Sequence, residues 1–185
     1  MSPAHEFHGL LAESVEDRED LLAEPVRDAL RGWKHNDQVG VVQIDPDLAD
    51  TAALTAAFDL PLSASGNCVL VSGKRDGEER VAACVVPASM RADVNGVVKR
   101  YMNVRKASFL PRDRAVDDSG MEFGGITPLG LPDGWSVLIE ASILDERLVV
   151  IGSGLRRSKI LLPGELLAEL PGADIVRDLG MPTAG

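Results

Sequence analysis

Two β-branched runs, "NCVLVSG" (67–73) and "RVAACVVP" (80–87), stand on either side of the turn "GKRDGEE" (73–79). Nothing else in the chain restricts its fold as strongly. Extended apolar segments joined through Asp76 and Gly77 read as an antiparallel hairpin. A turn near Asp76 brings Cys84 almost opposite Cys68. With two cysteines in the whole chain, both inside apolar runs, the expectation is a pair of reduced core thiols.

Around this hairpin the pattern alternates irregularly between helix and strand. Residues 10–33 read as helical, with Pro25 suited to the first turn of "PVRDALRGW". "QVGVVQI" (38–44) reads as a strand and the Ala-rich "DTAALTAAF" (50–58) as a helix. Asp93 can cap a helix through "VNGVVKRYM", "VRKASF" reads as a short strand, and Pro111 opens "PRDRAVDDS". Strands "SVLIE", "RLVVIG" and "SKILL" follow, then the helix "GELLAEL" and a last strand, "ADIV". Without strict βαβ alternation the expected class is α+β, with one mixed sheet. At 185 residues one domain is expected, spanning 25–180 behind an N-terminal extension, 1–24.

The extension is acidic: Glu6, Glu13, Glu16, Asp17, Glu19, Asp20 and Glu24 stand against Arg18 alone. The whole chain carries a formal net charge of −10, which opposes general binding to DNA. Two local strips run the other way. "VKRYMNVRK" holds Lys99, Arg100, Arg105 and Lys106; "LRRSK" holds Arg156, Arg157 and Lys159. They read either as ordinary solvated surface or as a footprint for a phosphate-bearing ligand. His5, His8 and His35 all precede residue 40, and no Cys/His spacing resembles a metal site. No apolar run reaches the length of a membrane helix and the N-terminus lacks signal-peptide features, so the cytoplasm is the default expectation.

One loop stands apart. "SGMEFGGITPLGLP" (119–132) gathers four glycines and two prolines just before "SVLIE". Such a run is either an awkward connection or a place where main-chain N–H groups face a ligand and stabilise an anion or oxyanion. Gly124 and Gly125 would admit a substrate against the backbone, Pro128 would fix the exit and the Thr127 hydroxyl could add a donor. A second glycine pair, Gly152 and Gly154, ends the strand "VVIG". Neither run has the spacing of a Walker loop or a dinucleotide fingerprint.

The pattern Ser119-Gly120-x-x-x-Gly124-Gly125-Ile126-Thr127-Pro128-x-Gly130 resembles the central motif of the YbaK-like aminoacyl-tRNA deacylases, which also supply the editing domain of many bacterial prolyl-tRNA synthetases. "SVLIEASIL", "VVIGSGLRRSKILL" and "GELLAEL" resemble the segments that follow it there, in the same order, and the similarity runs from about residue 25 to 178. The resemblance implies a single α+β domain with a mixed, barrel-like β-sheet surrounded by helices, and a pocket for the aminoacylated 3′ end of tRNA. It implies hydrolysis of the ester of a mischarged amino acid in trans, supplying discrimination that a synthetase pocket cannot reach by itself. An aminoacyl ester is already activated, so no metal or cofactor is called for. Gly124, Gly125, Ile126 and Thr127 are then placed at the ester end. Gly152, Ser153 and Gly154 face them, with Glu140 nearby, and the basic strips meet tRNA phosphates.

The chain departs from the resemblance at two points, one of them Glu140, which stands where the family's strand usually ends in aspartate. Family members usually carry a lysine where the first hairpin strand begins; here that place is taken by Asn67, a neutral amide and a weaker electrostatic partner. Lys106 and Lys159 are the alternative cations near the expected pocket mouth. Asn67 also supports a second reading, a binding module for an aminoacyl-adenosine-like or nucleotide ligand without hydrolysis. A protein partner or homodimer remains open.

Overall fold

The computed structural model describes residues 6–183, so His5 and the first residues of the acidic segment lie outside it. The order begins with β1 (Glu6–Phe7), β2 (Leu10–Leu11), β3 (Glu13–Ser14), α1 (Glu24–Arg31), β4 (Gly40–Gln43) and α2 (Thr51–Phe58). The hairpin follows as β5 (Gly66–Arg75) and β6 (Glu78–Pro87), then β7 (Met90–Ala92), α3 (Lys99–Met102), β8 (Lys106–Phe109) and α4 (Arg112–Ser119). The chain ends through β9 (Ser136–Glu140), β10 (Val149–Gly152), β11 (Ser158–Leu162), β12 (Ala173–Val176) and β13 (Gly180–Pro182).

Asp76 and Gly77, both at positive φ, turn the hairpin, and β5 and β6 then pair from Arg75↔Glu78 back to Gly66↔Pro87. In that register Val69 faces Cys84 and Cys68 faces Val85, so the two thiols lie on opposite faces of the sheet. Both are free, and burial pushes the Cys84 thiol up to about 12. Five strands form a mixed sheet in the order β12-β9-β6-β5-β8, with β9 parallel to both of its neighbours. A second sheet runs β10-β11-β4-β3. A bridge from Ser65 to Val150 joins the two at one edge, which gives the barrel-like arrangement.

Alternation along the strands divides the core. Val85, Val137 and Ile139 of the larger sheet pack between the sheets with Val41, Val149, Ile151 and Ile160. Ala82, Cys84 and Leu138 point to the other face, under Val98, Met102 and Val104. The outer face of the smaller sheet is covered by α2 through Leu54, which packs with Val42, Val150 and Leu161. Asp50 caps α2 by accepting the Ala52 N–H at 2.8 Å, and Asp93 accepts the N–H groups of Gly96 and Val97 as expected.

The helix read over 10–33 is present only as α1, with Pro25 in its first turn. Leu10, Ala12, Val15, Leu21 and Leu22 are buried, but they reach the core from two-residue strands and a 3₁₀ turn. "GELLAEL" is likewise a 3₁₀ helix, Gly164–Glu169. No helix among the described residues is long and apolar enough to cross a membrane.

Candidate functional site

The site forms where the start of β5, the end of β10, the start of β11 and the glycine loop converge. Glu122 donates its N–H to the Gly154 carbonyl at 2.8 Å, Gly154 returns a bond to the Gly125 carbonyl at 2.7 Å, and Gly125 donates to Glu122 at 2.9 Å. These bonds lock the two glycine segments together. A Cβ on Gly152 would sit 2.4 Å from the Gly125 carbonyl oxygen, and one on Gly125 would sit 2.7 Å from the Leu155 nitrogen. Only glycine permits this approach. Gly124, at φ +90°, then turns outward.

Beside this crossing lies a cavity of about 480 Å³. Cys68, Leu70, Leu110, Ala115 and Ile126 line an apolar part of it; Asp50, Thr51, Asn67 and Lys159 bring polar groups; Phe109, Phe123, Gly124 and Gly152 complete the wall. Phe109 and Phe123 remain 61% and 46% exposed, so each offers a ring face to an incoming molecule. The Arg112 guanidinium sits 4.2 Å from the Phe123 ring centre and fixes it. Arg156 clamps the loop from outside, donating to the carbonyls of Phe123 at 3.1 Å and Pro46 at 3.2 Å.

Lys159 is the unusual member. It is the second residue of β11, all five residues of which are buried, and is itself only 5% exposed. Its Nζ donates to the Ala49 carbonyl at 2.8 Å and, at a longer 3.4 Å, to that of Gly124. Burial lowers its pKa to about 8; the Asp50 carboxylate works against the drop and Arg156 adds to it. Across the cavity the Asn67 carbonyl oxygen accepts a hydrogen bond from the Thr51 hydroxyl, leaving the amide N–H groups as what Asn67 can offer.

The sequence carries a matching family signature: a model of the aminoacyl-tRNA editing domain matches residues 45–170. The chain belongs to the aminoacyl-tRNA editing domain family. A solved candidate trans-editing enzyme for prolyl tRNA synthetase is similar in structure to this editing-domain chain, with TM-score 0.70 at 19% identity over 88% of this chain and 97% of that one. A hypothetical protein gives TM-score 0.67 at 20% identity over 76% and 90%. A candidate signal transduction protein from Marinobacter aquaeolei gives 0.55 at 16% identity over 85% of this chain and 30% of its own. At these identities the likeness is one of fold. No protein with a curated function matches the sequence.

Within this editing domain the structure brings Asn67, Gly124, Ile126, Gly152 and Lys159 to one cavity. It separates the others from that wall. Gly125 gives its N–H to Glu122 and accepts from Gly154 at its carbonyl, so it holds the loops together and is not part of the cavity's lining. Thr127 is fully buried, and its hydroxyl has no hydrogen-bond partner among the described residues. Pro128 lines a different cavity, of about 350 Å³, with Trp135 and Pro171. Ser153 is buried in a cluster with the Ser158 hydroxyl at 2.7 Å, and Gly154 closes the loop crossing. Glu140 accepts N–H bonds from Gly180 at 2.8 Å and Ser142 at 3.3 Å, tying β9 to the C-terminal segment.

The basic strips also divide. Lys106 is exposed and pairs in register with Lys74 near the hairpin turn, whereas Phe109, three residues on, faces Val71 toward the cavity. Arg105 lies 3.7 Å from Asp76 in that turn, and Lys99 and Arg100 are on α3. Arg157 is exposed and donates to the Asp20 carbonyl. The wall contributed by Asp50, Thr51, Leu110, Ala115 and Phe123 was not singled out by the sequence; only the cap at Asp50 and the apolar run before Pro111 are visible there. Among the described residues no three His, Cys, Asp or Glu side chains are close enough to hold a metal.

Proposed function

We propose that this chain hydrolyses, in trans, the ester linking a mischarged amino acid to the 3′ end of tRNA. The observation that carries the reading is the cavity itself: in an editing-domain chain, a space of about 480 Å³ joins an apolar end to a polar mouth. The amino-acid side chain enters between Cys68, Leu70, Leu110, Ala115 and Ile126. That lining carries no charge, so it favours a small uncharged side chain and penalises a charged one that would be stripped of water without a partner. The terminal base, which is unpaired, stacks on the exposed rings of Phe109 and Phe123 at the mouth. Similarity to a candidate trans-editing enzyme over nearly all of that protein's length supports action in trans.

In the reaction a water oxygen adds to the acyl carbon, the carbon–oxygen bond to ribose breaks, and the ribose oxygen takes a proton. The products are a free amino acid and an uncharged tRNA. Enclosure holds the ester in a fixed orientation, which replaces a costly bimolecular encounter. Glycines at 124 and 152 let main chain rather than side chains form the wall beside the ester.

The experiment is hydrolysis of a panel of twenty aminoacyl-tRNAs by wild type and Ile126→Trp, which fills the cavity. Turnover confined to one or a few small uncharged amino acids and lost in Ile126→Trp supports the reading. Tight binding of an aminoacyl-adenosine with no turnover would favour the binding module suggested by Asn67.

A further inference from the structure

Lys159 is a buried ammonium whose place in the fold is costly and whose hydrogen bonding is incomplete. An ammonium carries three N–H donors. One meets the Ala49 carbonyl at 2.8 Å, and a second reaches the Gly124 carbonyl at 3.4 Å, beyond the usual range for such a bond. Both acceptors are neutral. Asp50, the nearest carboxylate that acts on it, caps α2 with one oxygen. A strand buried along its whole length would be more stable with an apolar residue here unless the charge met something further. The side chain lines the cavity beside Gly124 and Gly152. Two of the main-chain donors expected near an oxyanion, the N–H groups of Gly125 and Gly154, are spent within the loop crossing.

We propose that the Lys159 ammonium meets the acyl oxygen of the bound ester and holds the negative charge that gathers there when water adds. This rests on the hydrolytic reading above. As the water oxygen bonds to the acyl carbon, the carbonyl π pair moves onto the oxygen facing Nζ. The pair returns as the bond to ribose breaks, and the proton lost by water ends on the ribose oxygen. The ammonium keeps its proton throughout. A cation in a site shielded from water stabilises that oxygen more than it would in solvent, and it is in place before the reaction starts. Lys159 is by this account a catalytic residue, and Gly124 and Ala49 position it.

The test compares wild type, Lys159→Met and Lys159→Arg on the aminoacyl-tRNA that wild type hydrolyses, with melting temperatures for all three. Lys159→Met is expected to lose about 100-fold or more in kcat with KM little changed. Lys159→Arg is expected to retain more activity than Lys159→Met. Corrected for spontaneous hydrolysis, wild-type kcat/KM should fall as pH rises through about 8, where the ammonium is lost. A loss under about 10-fold in a folded Lys159→Met, or a rate that rises or stays level through that pH, overturns the proposal. Should Lys159→Met fail to fold, the pH profile of wild type and the activity of Lys159→Arg decide it alone. If wild type hydrolyses no aminoacyl-tRNA, the hydrolytic reading fails by itself. The contact is then read from binding of 3′-aminoacylamino-3′-deoxyadenosine, a stable amide. Weakening by about 10-fold in Lys159→Met supports the contact; equal affinity, or no binding by wild type, overturns it.

Discussion

Lys106 and Lys159 are the same residue on strands of similar length, and the fold treats them oppositely. β8 is an edge strand whose outward residues, Lys106 among them, meet solvent. β11 is central in its sheet, between β10 and β4, with both faces covered. On an edge strand a lysine costs little and discourages further pairing. In a covered strand it gives up its hydration and gains only what the neighbouring carbonyls return. A strand's position in its sheet, which composition does not reveal, decides whether its lysine meets solvent or is buried beside a cavity.

The largest effect that sharpens this contrast is catalytic: Lys159→Met should lower the deacylation rate by roughly two orders of magnitude in single-turnover assays. Next comes stability against pH. The folded pKa of Lys159, about 8, lies below the unfolded value of 10.5, so the unfolded chain binds more protons between those limits. Wild-type stability should therefore rise from pH 8 to 10.5 relative to Lys159→Met, approaching about 3 kcal/mol at 1.36 kcal/mol per pKa unit. Urea titrations at several pH values would measure it. A flat difference would mean that the ammonium is hydrated in the folded protein.

A smaller loss, about 1–3 kcal/mol, is expected for Gly152→Ala, whose Cβ would press on the Gly125 carbonyl. Thermal unfolding would show it. Phe109→Ala should raise KM about 10-fold with kcat little affected, as removal of one stacking face implies. Lys106→Met should change stability by less than about 0.5 kcal/mol, the range for an open surface position.

Much of the fold was legible where the pattern is local. The Asp76-Gly77 turn, Pro25 at the start of α1, Asp93 as a cap and the strands β9 to β11 all follow from near neighbours in sequence. Residues 10–22 misled because Leu10, Leu11, Val15, Leu21 and Leu22 recur at near-helical spacing, whereas Leu11 is exposed and the burial of the other four comes from packing with distant strands and α1. Tertiary contacts override so weak a local preference. In the site, the glycine segments were visible but their meaning was mixed. Gly124 and Gly152 wall the cavity, while Gly125 and Gly154 hold two loops at backbone distance. Glu140 and Ser153 could not be sorted from cavity residues because Gly180, which donates to the Glu140 carboxylate, and Ala23, which donates to the Ser153 carbonyl, come from distant parts of the chain. Lys159 left one usable sign: it stands in "SKILL", where apolar residues occupy both faces and mark the strand as covered.

On the proposed function, one cavity receives the acyl group between Gly124 and Lys159. A crystal structure of the protein with 3′-aminoacylamino-3′-deoxyadenosine tests it most directly. The predicted complex has the acyl oxygen within hydrogen-bond distance of Lys159 Nζ, the side chain among Cys68, Leu110 and Ile126, and the base against Phe109 or Phe123. An analogue bound outside this cavity, or one whose acyl oxygen turns away from Lys159, would contradict it.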